Sequence, residues 1–169
     1  GEQTRFALRC LRKHQDKFDI FLINVGWGHT GWITTDNEER AWFDEIIGKT
    51  QTLIQQSQNQ PIAFDASLQI TVPNEFEKLC PVNIGYTAGI ETTKAVPEWL
   101  NRCNLMNRVI VPSVHAKTVL ESTSYRVKDQ FENESDLRIN TPIDVCGYAA
   151  RVVAPKPIEI DLQTDFNFL

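Results

Sequence analysis

Apolar positions recur along this chain in two rhythms, a helical spacing and a near-continuous strand-like run, and they alternate from segment to segment. Residues 3–15 set Phe6, Leu8, Cys10 and Leu11 beside Arg5, Arg9, Arg12 and Lys13, which predicts a helix with one buried stripe. Phe18 to Val25 is almost unbroken in apolar side chains and predicts a strand buried on both faces of a parallel sheet. The glycines and tryptophans of residues 26–32 then predict a loop. Thr35 or Asp36, each with a Glu three positions later, predicts the cap of a helix carrying Trp42, Ile46, Ile47, Leu53 and Ile54.

Strands are expected at 62–71, 82–86 and 108–111. Between the last two, Pro97 suits the first position of a short helix over 97–104, where a proline forfeits no helical hydrogen bond. Ser113 suits the cap of a further helix through Ala116, Val119 and Leu120 that ends near Ser124. Residues 126–140, rich in Asp, Glu, Asn and Arg, read as an exposed excursion. Two extended pieces follow, Ile143–Cys146 and Arg151–Val153, and then a tail in which Ile158, Ile160 and Leu162 alternate with polar residues. This alternation of strands and helices predicts an α/β, Rossmann-like domain with a mostly parallel sheet and helices on both faces. The tail is expected to add to that sheet, in its own molecule or in a second copy as a homodimer, because an open slot would leave backbone groups unpaired.

Composition narrows the function classes. At 169 residues with 41% hydrophobic and 23% charged positions, the chain can build a core without staples. A net charge of −5 gives no excess of positive charge for wrapping a phosphate backbone, so nucleic acid is not an expected partner. No apolar run approaches the ~20 residues of a membrane-spanning helix. Gly1 to Arg5 shows neither a signal peptide nor an initiator Met, which suggests a truncated or processed beginning. Cys10, Cys80, Cys103 and Cys146 are scattered without metal-ligand spacing, so no metal is expected and free thiols in the reducing cytoplasm are the simpler reading.

Several stretches invite a chemical reading. Gly48-Lys49-Thr50 imitates the end of a phosphate-binding loop, but Phe43 stands where that loop needs a glycine, and no GxGxxG exists, so no nucleotide cofactor is expected. The loop holding Trp27 and His29 follows an expected strand, where ligands of open α/β sheets bind; its aromatic faces suit sugar stacking and His29 suits proton transfer. The plainer alternative is that these side chains pack on their own fold. The densest cluster is residues 83–94, in which two glycines permit close approach and Tyr86, Thr87, Glu91, Thr92 and Thr93 offer groups suited to a polyhydroxylated ligand. A turn whose Thr and Glu merely cap a helix is the structural alternative.

The run Ile84 to Ser113, with Glu91, Thr92, Pro97, Trp99, Pro112 and Ser113 at their spacing, resembles the N-terminal domain of group 1, GT-B-type nucleotide-sugar glycosyltransferases. More weakly, Gly1-Glu2-x-Thr4-Arg5 resembles the end of that family's glycine-rich loop, and residues 72–76 a segment before its central strand. Residues 152–157 are similar to the exit from the first domain, and 165–169 to the opening strand of the second. The resemblance implies an acceptor-side domain over 1–157 and, over 158–169, a linker and the start of a C-terminal domain. In the complete enzyme a sugar would pass from a nucleoside diphosphate to a hydroxyl acceptor. It assigns a catalytic role to Glu91, substrate contacts to Tyr86, Thr87, Thr92, Thr93, Trp27 and His29, and donor-phosphate contacts to the backbone at Gly1 and Glu2. The family's paired glutamates eight positions apart are absent, so the chain alone is expected to be inactive. A non-catalytic saccharide-binding or interaction module of α/β fold, and a scaffold without ligand, stand as the other readings.

Overall fold

Four strands of three to five residues carry the fold, and all four run parallel. The computed structural model describes residues 1–23, 36–58, 60–128 and 132–150. In chain order the elements are α1 (Glu2–Arg12), α2 (Glu38–Gln56), β1 (Ala66–Ile70), a 3-10 turn (Pro73–Glu75), β2 (Val82–Tyr86), α3 (Pro97–Cys103), β3 (Arg108–Val111), α4 (Val114–Ser122), β4 (Tyr125–Lys128), β5 (Glu134–Leu137) and β6 (Ile143–Val145). The main sheet has the order β1-β2-β3-β6, and β4 and β5 form a separate antiparallel pair. The chain is thus an α/β protein with a mostly parallel sheet.

Each connection steps one strand in the same direction across the sheet. Right-handed crossovers then put the connecting elements on one face. The register agrees: Val109, Val111 and Ile143 are buried on that face. There they join Leu100 and Cys103 of α3, Ala116 and Leu120 of α4, and Phe76 after the 3-10 turn. Pro97 opens α3, and the Ser113 side chain caps α4 by accepting from the Ala116 amide, as the sequence predicts. The opposite face presents Leu68, Val82, Ile84, Tyr86 and Ile110.

A second, smaller cluster joins Leu8 of α1 to Trp42, Phe43 and Ile46 of α2, with Ile20 and Leu22 against it. This corrects the strand expected at 18–25: its described part, residues 18–23, is not a strand, and Phe18 and Ile23 are 53% and 66% exposed. The physical reason is competition from α2. Ile20 and Leu22 pack on that helix, and the Leu22 amide donates to Thr50 Oγ1 at 2.9 Å, replacing a ladder bond. Other corrections are smaller. Asn37, not Thr35 or Asp36, caps α2, its Oδ1 accepting from the Arg40 amide at 3.0 Å. The strand expected at 62–71 is confined to β1, and the excursion at 126–140 contains the β4–β5 hairpin. Trp27, His29, Thr35, the piece at 151–153 and the tail at 158–169 lie outside the described residues. Among the described residues, no helix is long and apolar enough to cross a membrane.

Candidate functional site at the carboxyl edge of the sheet

In parallel sheets the loops leaving the strand ends converge, and here three of them meet. The first leaves β2, which is anchored at its start by Asn83. This fully buried amide accepts from Ser67 Oγ and from the backbone of Leu79 and Cys80, each at 2.9 Å, and donates to the Cys80 carbonyl at 2.6 Å. Gly85 must lack a side chain because a Cβ there would sit 2.5 Å from the ring of buried Phe76. β2 then delivers Tyr86, whose hydroxyl donates to the Cys146 carbonyl just beyond β6 at 3.3 Å. Burial pushes the Tyr86 phenol above its ordinary pKa.

Beyond Tyr86 the loop is pinned at both ends. The buried Thr87 amide donates to the Ile110 carbonyl at 3.1 Å. Gly89 adopts φ +84° and lies against Ala116, where a Cβ would come within 2.6 Å. At the far end, the Ala95 amide donates to Thr123 Oγ1 at 3.1 Å, and the Tyr125 hydroxyl donates to the Ala95 carbonyl at 2.7 Å. The Lys94 ammonium stands 4.0 Å from the Tyr125 ring centroid. Residues 91–94, an exposed bend, are held between these anchors.

The second and third loops leave β3 and β6. The Cys146 amide donates to the Val111 carbonyl at 2.9 Å, so the two strand ends stay together. The amino end of α1 joins them through Gln3, whose side chain donates to the Ala149 carbonyl at 3.3 Å. Gly1 and Glu2, expected to face phosphate, thus stand in the first turn of a helix tethered next to the β6 exit. The Glu2 carboxylate itself is occupied, within 2.8 Å of Arg5 and 3.8 Å of Arg9.

The expected site residues divide into two groups. The hydroxyls of Tyr86, Thr87 and Thr92 are held by the protein: Tyr86 by Cys146, Thr87 by the Gly89 amide at 3.5 Å, Thr92 by the Lys94 carbonyl at 3.1 Å. They frame the loop. Glu91 and Thr93 are exposed and make no hydrogen bond or ion pair among the described residues. The other contributors, Gln3, Thr123, Tyr125 and Cys146, carry no local sequence signal, because each acts across 28 or more positions.

A hollow of ≈ 440 Å³ lies elsewhere, between α1 and α2, and none of the expected site residues that are described lines it. There Arg9 and Glu39 are already joined at 2.7 Å, a bond that holds the Glu39 carboxyl below its ordinary pKa, and Arg12 stacks over Trp42. Among the described residues, no group of His, Cys, Asp and Glu could hold a metal ion. Compared with known proteins, the chain matches no family model, no curated protein and no solved structure.

Proposed function

We propose that this chain is the acceptor-side domain of an enzyme that transfers a sugar from a nucleoside diphosphate to a hydroxyl. One observation carries the reading: the run from Ile84 to Ser113, on which the resemblance rests, occupies one continuous β2–loop–α3–β3–cap unit whose loop opens at the carboxyl edge of the parallel sheet. Ligands of open α/β sheets bind at that edge.

In this reading Glu91 is the polar group nearest the reacting hydroxyl, able to accept its proton, and Thr93 contacts the saccharide beside it. Tyr86, Thr87 and Thr92 hold the loop in place. The amino end of α1, with its exposed amide dipoles, faces the donor's phosphates. A second lobe, which the resemblance implies, meets the donor from the other side and excludes water from the cleft. Free cysteines at positions 10, 80, 103 and 146 fit the reducing cytoplasm.

The test is mapping of amide chemical shifts while the chain is titrated with neutral oligosaccharides and, separately, with uridine and guanosine diphosphate sugars. Shifts confined to residues 86–93 and 146–149, joined by residues 2–4 at the amino end of α1 when nucleotide sugars are added, are expected, with Glu91→Gln weakening the saccharide response. Absence of any shift there at about 10 mM ligand, tenfold above the ~1 mM Kd of a poor binder, would overturn the reading. A saccharide response with no hydrolysis or transfer in the presence of a full-length partner lobe would favour the non-catalytic module.

A further inference from the structure

The exit from β6 carries an aromatic side chain that the fold leaves open. Tyr148 is 50% exposed, and its hydroxyl has no partner among the described residues. The backbone on either side of it is fixed. Before it, the Cys146 amide donates to the Val111 carbonyl at 2.9 Å, and the Cys146 carbonyl accepts from the Tyr86 hydroxyl at 3.3 Å. After it, the Ala149 carbonyl accepts from the Gln3 side chain at 3.3 Å. Gly147 and Tyr148 thus bridge two anchored points, and a Cβ at Gly147 would stand 3.8 Å from the Pro112 carbonyl oxygen, so the segment runs close along the β3 exit. An exposed tyrosine on a loose segment needs no explanation, since folded surfaces carry many apolar atoms. A tyrosine between fixed points is different, because a flat apolar ring with few rotatable bonds and an ordered backbone loses little entropy on contact.

The surroundings of the ring say what it meets. Tyr148 lies within electrostatic reach of Tyr86: burial first, then the Cys146 thiol and the Tyr148 phenol, hold the Tyr86 phenol above its ordinary pKa. Tyr86 ends β2 and leads into the loop of Glu91 and Thr93, while Gln3 belongs to the first turn of α1. Tyr148 therefore stands between the loop that offers a free carboxylate and hydroxyl and the helix end that offers free amides. Those two elements supply polar contacts only. A pyranose has an apolar side as well, the C–H bonds on the faces of its ring, and an aromatic face is the surface that matches it. We propose that Tyr148 is the platform on which a pyranose ring stacks at this edge, with the sugar hydroxyls turned to the loop of Glu91 and Thr93. The proposal rests on the sugar-transfer reading and adds to it the binding surface for the ring itself. Sequence reasoning gave the stacking role to Trp27, which lies outside the described residues; Tyr148 escaped it because its fixing depends on Gln3, Tyr86 and Val111, all distant in the chain.

NMR titration of the whole chain tests it with two probes. Methyl β-D-glucopyranoside has every ring substituent equatorial, so its axial C–H bonds leave both faces apolar; D-glucitol is an open-chain polyol without such a face. The glucoside is expected to shift the amides of residues 86–93 and 147–149, to show Overhauser contacts between its axial protons and the Tyr148 ring, and to bind at least about fivefold tighter than glucitol. Tyr148→Ala is expected to abolish that preference, and Tyr148→Phe to keep it within about twofold, with the amides of β2 and β3 unmoved in both variants because the ring is half-exposed. Glucoside affinity equal in the parent and in Tyr148→Ala, or no ring contact in the parent, with shifts still present at 86–93, overturns this proposal and leaves the sugar-transfer reading standing. No response to the glucoside at either segment overturns both.

Discussion

Replacing Asn83 by alanine removes the amide that ties the start of β2 to β1 and to the turn before it. Four side-chain bonds disappear at once: from Ser67, Leu79 and Cys80 to Oδ1, and from Nδ2 to the Cys80 carbonyl. A bond of this kind contributes about 1 kcal/mol net, and a buried backbone group left without a partner costs about 1–3 kcal/mol. Counting bonds gives about 4 kcal/mol. Charging the stranded Leu79 and Cys80 amides and Cys80 carbonyl the full buried penalty would give about 3–9 kcal/mol, an upper bound because Leu79 is exposed and Cys80 half-buried, so water reaches them. We therefore expect a loss of about 3–5 kcal/mol, a large part of the 5–15 kcal/mol that stabilises a typical domain. Urea unfolding followed by circular dichroism measures it, and Tm should fall by about 10 °C or more. Ser67→Ala, which removes one of the four bonds, should lose about 1 kcal/mol. A loss below about 1 kcal/mol for Asn83→Ala, or equal losses for the two variants, would refute the view that this amide carries the junction.

Gly85→Ala should destabilise by about 1–3 kcal/mol through overpacking, because its Cβ meets the Phe76 ring; Phe76→Leu in the same chain should recover part of that loss, whereas simple additivity in the double-mutant cycle would show that the contact is not limiting. Glu39 is held below its ordinary pKa by the Arg9 hydrogen bond first, so its contribution is fully present above the unfolded value and is lost as pH falls through the lower folded one. Glu39→Gln should accordingly be about 1 kcal/mol less stable than the parent near neutrality and equal to it at about pH 2, and a gap that persists in acid would contradict this account.

The sheet and the α3–α4 side of the fold were legible because their signals are local. Pro97 and Ser113 mark helix starts by chemistry confined to a few residues, and the β3 run Arg108–Val111 has the apolar pattern of a covered strand. Phe18 to Ile23 misled because an apolar run states only that it will be covered, not by what. Ile20 and Leu22 found α2, and the Thr50 hydroxyl satisfied an amide that a sheet would otherwise have to satisfy. The β4–β5 hairpin was hidden by its polarity. β4 alternates only over Tyr125–Lys128 and β5 has a single apolar residue, Leu137, so the rhythm is too short to stand out, and the exposed strands pair Arg126 with Glu134 at 3.8 Å. At the site, the cluster 83–94 was visible in composition, yet which hydroxyls were free was not. That depends on Cys146, Gly89 and Lys94, partners that the sequence does not announce.

Under the proposed function, this division between held and free groups is what distinguishes a binding loop from a structural turn. A turn that exists only to connect β2 to α3 needs its polar groups satisfied internally, and Tyr86, Thr87 and Thr92 meet that need. Gly89 packed on Ala116, and Thr123 and Tyr125 bonded to the buried Ala95, also fix the two ends of residues 91–94. Such anchoring restricts the loop backbone before any ligand arrives, so less ordering entropy opposes binding. Glu91 and Thr93 stand between these anchors with their polar groups directed to solvent and unengaged among the described residues. In the proposed reading, a backbone anchored at Gly89 and Ala95 beneath the exposed Glu91 carboxylate and Thr93 hydroxyl suits recognition of a polyhydroxylated ligand, at the sheet edge where the strand-end loops converge.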